Sequence, residues 1–446
     1  MRKFVTIVAA SAVTLMVGVA AAPATVAGAV GPPSVAWVSH TTPLAAAGGK
    51  SCAKPGYNSV QAAINNTASG AVIHVCAGAP YVEQLQITQP VTIKGAGEGT
   101  TTIALPASPA NSTTACDAAV NTAYGAYGTT QDEISICQAG SVSISDLTVQ
   151  PQWPGSTCND NLYGIMVAGE SNLTAADVAV DGGGAFPING CQGGVAVEVG
   201  LTGLSGTYGV GTATLKGDSV TNYQKNGITV DGAGSNALIE HTSVITAPTA
   251  ATAQNGIQIS DGAVGDITHS TISGNECNIP TTCGIDGTQA GGVLLYDSAP
   301  GTSVTNSTIS GNDYGLYYLS GAASEAASAP TTISHDHFTG DRYSGILLDQ
   351  GIATLASDSV TANLVSDPGD VGIVLYQYVG QSYASQATAT HLQVSGESVA
   401  VDVSTDGAPG DLPGTFTISH ASETGNTVPL ENTSTNFNVV ASHVTY

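Results

Sequence analysis

Two carboxylates stand four residues beyond a glycine in the same kind of apolar alternation, Gly194-Val195-Ala196-Val197-Glu198 and Gly227-Ile228-Thr229-Val230-Asp231. Alternation places such residues on one face of a strand. If the two strands are neighbours in a parallel stack, the carboxyls lie about 5 Å apart, which suits a retaining glycosidase pair or a calcium site. Tyrosines belong to the same pattern. Tyr296, Tyr317 and Tyr376 share the outward face, while Tyr314 and Tyr343 stand in the turns before two later glycines, beside Asp313, Asp341 and Arg342. Aromatic faces beside carboxylates are what the C–H face of a sugar packs against. The sequence thus offers Glu198, Asp231 and Arg342 as candidate catalytic residues. It offers Tyr296, Tyr314, Tyr317, Asp313, Asp341, Tyr343 and Tyr376 as candidate substrate contacts, with calcium as the one cofactor suggested, at Glu198 and Asp231.

These residues need a scaffold that repeats. Glycine followed by apolar alternation recurs at Gly164, Gly194, Gly227, Gly256, Gly292, Gly315, Gly345 and Gly372, and in weaker form from Ser398, at steps of 30, 33, 29, 36, 23, 30, 27 and 26 residues. A second column aligns Asp146, Asp177, Asp218, His241, His269, Asn306, His335, Asp358, His391, His420 and His443. A site that accepts Asp, Asn or His asks for a short polar side chain at a turn, so these histidines read as structural. Each period holds about three short strands separated by residues tolerant of a left-handed backbone. A unit this small without a helix cannot bury its apolar face alone. Stacking coil on coil at about 4.8 Å solves that, which makes the chain an all-β solenoid.

The segment Tyr57-Asn58-Ser59-Val60-Gln61-Ala62-Ala63-Ile64, with Ala71-Val72-Ile73-His74-Val75, Tyr81-Val82-Glu83 and Val91-Thr92-Ile93-Lys94-Gly95, resembles the opening of right-handed parallel β-helix proteins of the pectin-lyase-like superfamily. The resemblance implies a right-handed single-stranded parallel β-helix of about 10–12 coils, a short helix capping the first coil, and action on polysaccharide. It carries over no catalytic residue. The Asn-Thr-Asp, Asp-Asp, Gly-His-Gly and Arg-Ile-Lys motifs of polygalacturonase-like enzymes are absent, and Gly78-Ala79-Pro80-Tyr81-Val82-Glu83 is one residue longer than the Gly-x-Tyr-x-Glu of pectin methylesterases. Lyases of this fold use Arg or Lys, yet Lys225 and Arg342 should lie four coils apart, roughly 19 Å, and cannot share a centre.

Eight Lys and Arg against 33 Asp and Glu give a formal net charge of −25, and only 9% of residues are charged. No groove could neutralise phosphates, so nucleic acid and anionic membranes are excluded as partners. Arg2 and Lys3 followed by an apolar run and small residues read as a signal peptide over 1–29. A Pro/Ala/Gly-rich linker is expected over 30–50 and the β-helix domain over 51–446, released from the cell as a monomer. In an oxidising compartment the eight cysteines should pair sequentially, Cys52–Cys76, Cys116–Cys137, Cys158–Cys191 and Cys277–Cys283. The expected function is recognition, with or without cleavage by a lyase or hydrolase, of an extracellular polysaccharide or cell-surface glycan. The alternative is a non-catalytic, adhesin-like or structural solenoid.

Overall fold

The computed structural model describes residues 31–446, apart from 42–43, 46–47, 156–157, 247–251, 280, 285–286, 321–329, 363–369, 378–384, 406–413, 435–436, 446 and the side chains of 377 and 405. The expected signal peptide lies outside the described residues. Among the latter, strands build two long parallel sheets, one of 24 strands and one of 12. Each coil gives one strand to the twelve-stranded sheet and two to the larger one. A typical coil runs Asn255–Ser260 in the first, then Val264–Thr268 and Thr271–Ser273 in the second. Counterparts pair in register from coil to coil, Ile257 facing Val293 and Ile272 facing Ile309. Inward-facing Ile, Val and Leu form one continuous core.

The repeat glycines are forced by close stacking. A Cβ on Gly315 would meet the carbonyl oxygen of Gly345 at 2.5 Å. The Asp/Asn/His column is forced by backbone conformation. His241, His269, Asn306, His335, His391, His420 and His443 all have φ between 50° and 60°. The imidazoles of His241 and His269, and those of His391, His420 and His443, lie against one another, His420 on His443 at 4.8 Å. At two coils Gly217 (φ 68°) and Ser357 (φ 63°) hold this place, so Asp218 and Asp358 lie one residue further along than the alignment suggested.

There they do other work. Over the central coils the residue after the left-handed one turns inward and bonds a backbone N–H of the preceding coil, whereas at later coils the apolar Leu392 and Ala421 are buried in that place. Thr242 N donates to Ser270 Oγ at 3.2 Å, Ser270 N to Ser307 Oγ at 3.2 Å, Ser307 N to Asp336 Oδ1 at 2.7 Å and Asp336 N to Asp358 Oδ1 at 2.9 Å.

All four sequential disulfides are formed. The expected linker is partly solenoid: Val35–Val38 stacks on Ala71–Val75 and buries Ala36 and Val38, because the first coil needs an apolar cover. Helix α1 (Val60–Asn66) starts on Ser59, whose side chain accepts from Ala62 N at 3.1 Å. Glu83 accepts from Val60 N at 2.7 Å and Gln61 N at 3.1 Å, which assigns the motif-like glutamate to helix capping. The Gln61 amide bonds both backbone groups of Gln86, as a neighbouring strand would.

Burial pushes Asp218 and Asp336 up to about 7 and Asp358 to about 8, against the pull of their backbone N–H donors. Their folded pKa values lie above the unfolded ones, so the native state binds more protons between pH 4 and 8. Stability is therefore fullest near pH 4 and is lost as pH rises through 7–8. Urea unfolding at stepped pH should show the midpoint falling from pH 5 to pH 8, with a shallower fall in Asp336→Asn. A midpoint that rises over this range contradicts the ladder's protonation.

Candidate functional site

The outer face of the twelve-stranded sheet is closed at one end. Over Leu162–Ala168, Val195–Val199 and Asn226–Asp231 both faces of the sheet are buried. Helix α2 (Ala115–Tyr124) supplies the cover: Cys116 and Val120 pack with Tyr163, Met166, Ala168, Val195 and Leu201 in a second, smaller core. A Thr114/Asp117 capping box starts this helix and the Cys116–Cys137 disulfide ties it to the sheet.

That cover, and the register beneath it, revise the first two candidates. Val195 faces Asn226 and Glu198 faces Thr229, whereas Asp231 faces Ser260. Ala196, not Gly194, is the repeat residue of its coil, so Glu198 and Asp231 are two residues out of step. Both are buried, at 4% and 8% exposure. The Asp231 oxygens accept from Thr202 N at 2.8 Å and Ser260 Oγ at 2.8 Å. Burial, and then the Asp231 charge, hold the Glu198 carboxyl well above the usual range. In place of an open catalytic pair or calcium site, the structure has an internal acid pair that ties the 200–210 segment to the sheet. Among the described residues no group of three or more His, Cys, Asp or Glu side chains is placed to hold a metal ion.

Arg342 and its neighbours are also supports. The guanidinium pairs with Glu276 at 2.6 Å and Asp313 at 3.0 Å, and donates to Cys277 O at 2.9 Å and Asn278 Oδ1 at 2.5 Å. Asp313 Oδ2 accepts from Cys277 N at 3.0 Å and Ala290 N at 2.9 Å, closing the base of the disulfide loop. Burial pushes Asp313 up to about 6 despite these donors and Arg342. Asp341 Oδ1 accepts from Asn312 N at 3.0 Å and Asn312 Nδ2 at 2.9 Å, one rung of a corner ladder.

The sheet's outer face opens beyond this cover. In the outward column Met166, Glu198 and Thr229 are buried, and Gln258, Leu294, Tyr317, Leu347 and Val374 are partly exposed. A cleft of about 360 Å³ lies here, lined by Leu294, Tyr296, Tyr314, Tyr317 and Leu319 with Asn255, Gln289 and Lys225. Residues 287–291, which follow the disulfide loop, line it as well. The Tyr314 ring lies 5.7 Å from Tyr317 and 5.7 Å from Tyr343, on which Arg342 sits at 5.9 Å. The aromatic surface thus continues into the support of the loop. Tyr376 faces Asp349, three coils on from Tyr296, and is not part of the cleft.

Three of the expected tyrosines therefore meet in one cleft, Tyr343 backs them, and Glu198, Asp231 and Arg342 stay outside. Asn255 and Gln289 escaped sequence reasoning, and Lys225, weighed only as a partner for Arg342, was not among the candidates although it directly precedes a repeat Asn-Gly. Two groups near the floor titrate close to neutrality. Burial lowers Lys225 to about 8, and burial raises Asp349 to about 7 while Gln350 and Tyr317 bond its carboxyl.

A family model described as the right-handed β-helix region matches residues 202–389. The A-module of the mannuronan C-5 epimerase of Azotobacter vinelandii superposes with a TM-score of 0.52 at 14% identity, covering 85% of this chain and 94% of that one. A periplasmic alginate epimerase gives 0.53 at 11% identity over 84% and 77%. The catalytic domain of a GH87 α-1,3-glucanase in complex with tetrasaccharides gives 0.55 at 13% identity over 87% and 67%. At such identities the likeness is one of fold. No curated protein matches the sequence.

Because Asp313 is wholly buried, Arg342→Ala should cost about 3–5 kcal/mol in urea unfolding, the usual penalty for stranding a buried partner. In a double-mutant cycle with Asp313→Asn, a coupling above about 1 kcal/mol is expected. A loss under about 1 kcal/mol for the single variant would remove Arg342 from its supporting role.

Proposed function

We propose that this right-handed parallel β-helix protein is an exported protein that binds a polysaccharide across the open outer face of its twelve-stranded sheet. The observation that carries the reading is the cleft, where Tyr296, Tyr314 and Tyr317 gather with Leu294 and Leu319 beside Asn255, Gln289 and Lys225. Flat apolar faces with a few convergent polar groups are the chemistry of sugar binding. The open floor runs along the solenoid axis, so consecutive sugars of a chain would meet consecutive coils. The structural neighbours include polysaccharide-modifying enzymes, which agrees with this use of the fold. Four disulfides fit an extracellular or periplasmic setting. Removal of 1–29 on export would take Arg2 and Lys3 with it.

Lys225 favours a second reading, in which the bound glycan is also cleaved, since burial brings this cleft lysine to about 8, near the pH at which proton transfer is efficient. Release of reducing ends or of unsaturated uronates across a glycan panel separates cleavage from binding alone.

Tyr296 is 40% exposed, so its truncation should leave the fold intact. Tyr296→Ala should weaken binding of a glycan selected from such a panel about tenfold, the order of a lost aromatic contact. Titration calorimetry reads the affinity and a thermal melt controls for folding. Unchanged affinity in both Tyr296→Ala and Tyr317→Phe places the ligand elsewhere.

A further inference from the structure

Lys225 is held in the turn before Asn226–Asp231 by both adjacent coils. Its backbone N–H donates to Gly194 O at 3.0 Å, and its carbonyl accepts from Asn255 N at 2.9 Å. With the backbone fixed in this way, the side chain lines the cleft. It is the only charged side chain among the described lining residues. With 33 acidic and 8 basic residues in the chain, a charged group placed without regard to ligand would be an acid roughly four times in five. The ammonium has three N–H donors. Ala253 O takes one, and among the described residues no carboxylate lies within 4.0 Å of the nitrogen. Among the other described cations, Lys94, Lys216 and Arg342 each have a carboxylate, and Lys50 and Lys54, which have none within 4.0 Å among the described residues, are exposed to solvent. A partly buried ammonium without a counter-ion loses hydration and gains no ion pair, and the downward pull of burial on its pKa reflects that deficit.

We propose that the sugar held in this cleft is acidic, its carboxylate or sulfate group seated on Lys225 while its ring lies against Tyr296 and Tyr317. The inference rests on the glycan reading of the cleft and narrows it to a charged ligand. The anion supplies the missing counter-ion, and the tyrosines and leucines exclude water from the pair, which strengthens it. A neutral sugar would leave the ammonium unpaired and dehydrated.

Two matched probe pairs test this by calorimetry: an oligogalacturonate with its methyl ester, and a sulfated galactan oligosaccharide with its desulfated form. One acidic probe should bind at least tenfold tighter than its neutral counterpart, and which of the two does so names the acid. Lys225→Gln should lower that probe's affinity to the neutral level, Lys225→Arg should keep the preference, and Tyr296→Ala should weaken both members of the pair. Lys225→Gln removes an unpaired charge, so its melting temperature should equal or exceed that of the native protein. Neutral members binding as tightly as acidic ones, or a preference that survives Lys225→Gln, overturns the inference while the Tyr296-dependent glycan reading stands. Absence of binding by all four probes and by a neutral glucan overturns both.

Discussion

A solenoid corner leaves backbone N–H groups pointing into the core where no strand can pair them, and burying such a donor unpaired costs about 1–3 kcal/mol. This chain answers at many corners with a side chain from the next coil. Thr, Ser and Asp do so between the two strands of the larger sheet. Asn275, Asn312 and Asp341 form a second ladder, and Ser171, Ser235, Thr302 and Ser385 act at the third corner. The sheets can then stack in register, and the stacking sets the glycine column, the left-handed column and the outward rows. Function is confined to what remains, one face of one sheet and the loops beside it.

On that face the site is defined by what is covered. Helix α2 closes the outer face over the coils of Met166, Glu198 and Thr229, and the disulfide loop stands over the coils of Leu294 and Tyr317. The loop is held by several restraints at once: Cys277–Cys283 closes it, Asp313 binds both its ends, and Arg342 reaches across from a later coil to Cys277 and Asn278. Such redundancy keeps a wall rigid although its own segment has little regular structure.

What the sequence made legible follows the same division. The repeat, the parallel stacking and the structural histidines could be read because each is imposed on many coils at once, and the disulfide pairing because each cysteine's partner is the next along the chain. Tyr296, Tyr314 and Tyr317 were legible as a stripe for that reason. Single-coil features were not. Gly193-Gly194-Val195-Ala196-Val197 offers a glycine two residues before the true repeat position, and that slip carried Glu198 into the wrong row. Helix α2 did leave a signal, the Thr114-x-x-Asp117 capping box with Cys116, Val120 and Tyr124 on one face. The surroundings of Lys225 come from several separate coils, and no local pattern encodes them.

The charge count changes meaning in this light. A formal −25 supposes that every carboxyl is exposed and ionised. Many are internal fittings instead: Glu83 and Asp117 cap helices, Asp231 and Asp313 pin loops, and Asp336, Asp341 and Asp358 are corner rungs. Burial keeps Glu198 and Asp341 well above the usual carboxylate range, and Asp358, held near 8, retains its proton at neutral pH. The field at the surface is accordingly weaker than the count implies, and beyond about 8 Å it is screened at physiological salt. Within that distance the cleft presents a lysine and no described carboxylate among its lining residues. A chain that repels polyanions at long range can therefore still select a single acidic group at contact. Net charge governs approach, whereas the ammonium in the cleft governs what is held.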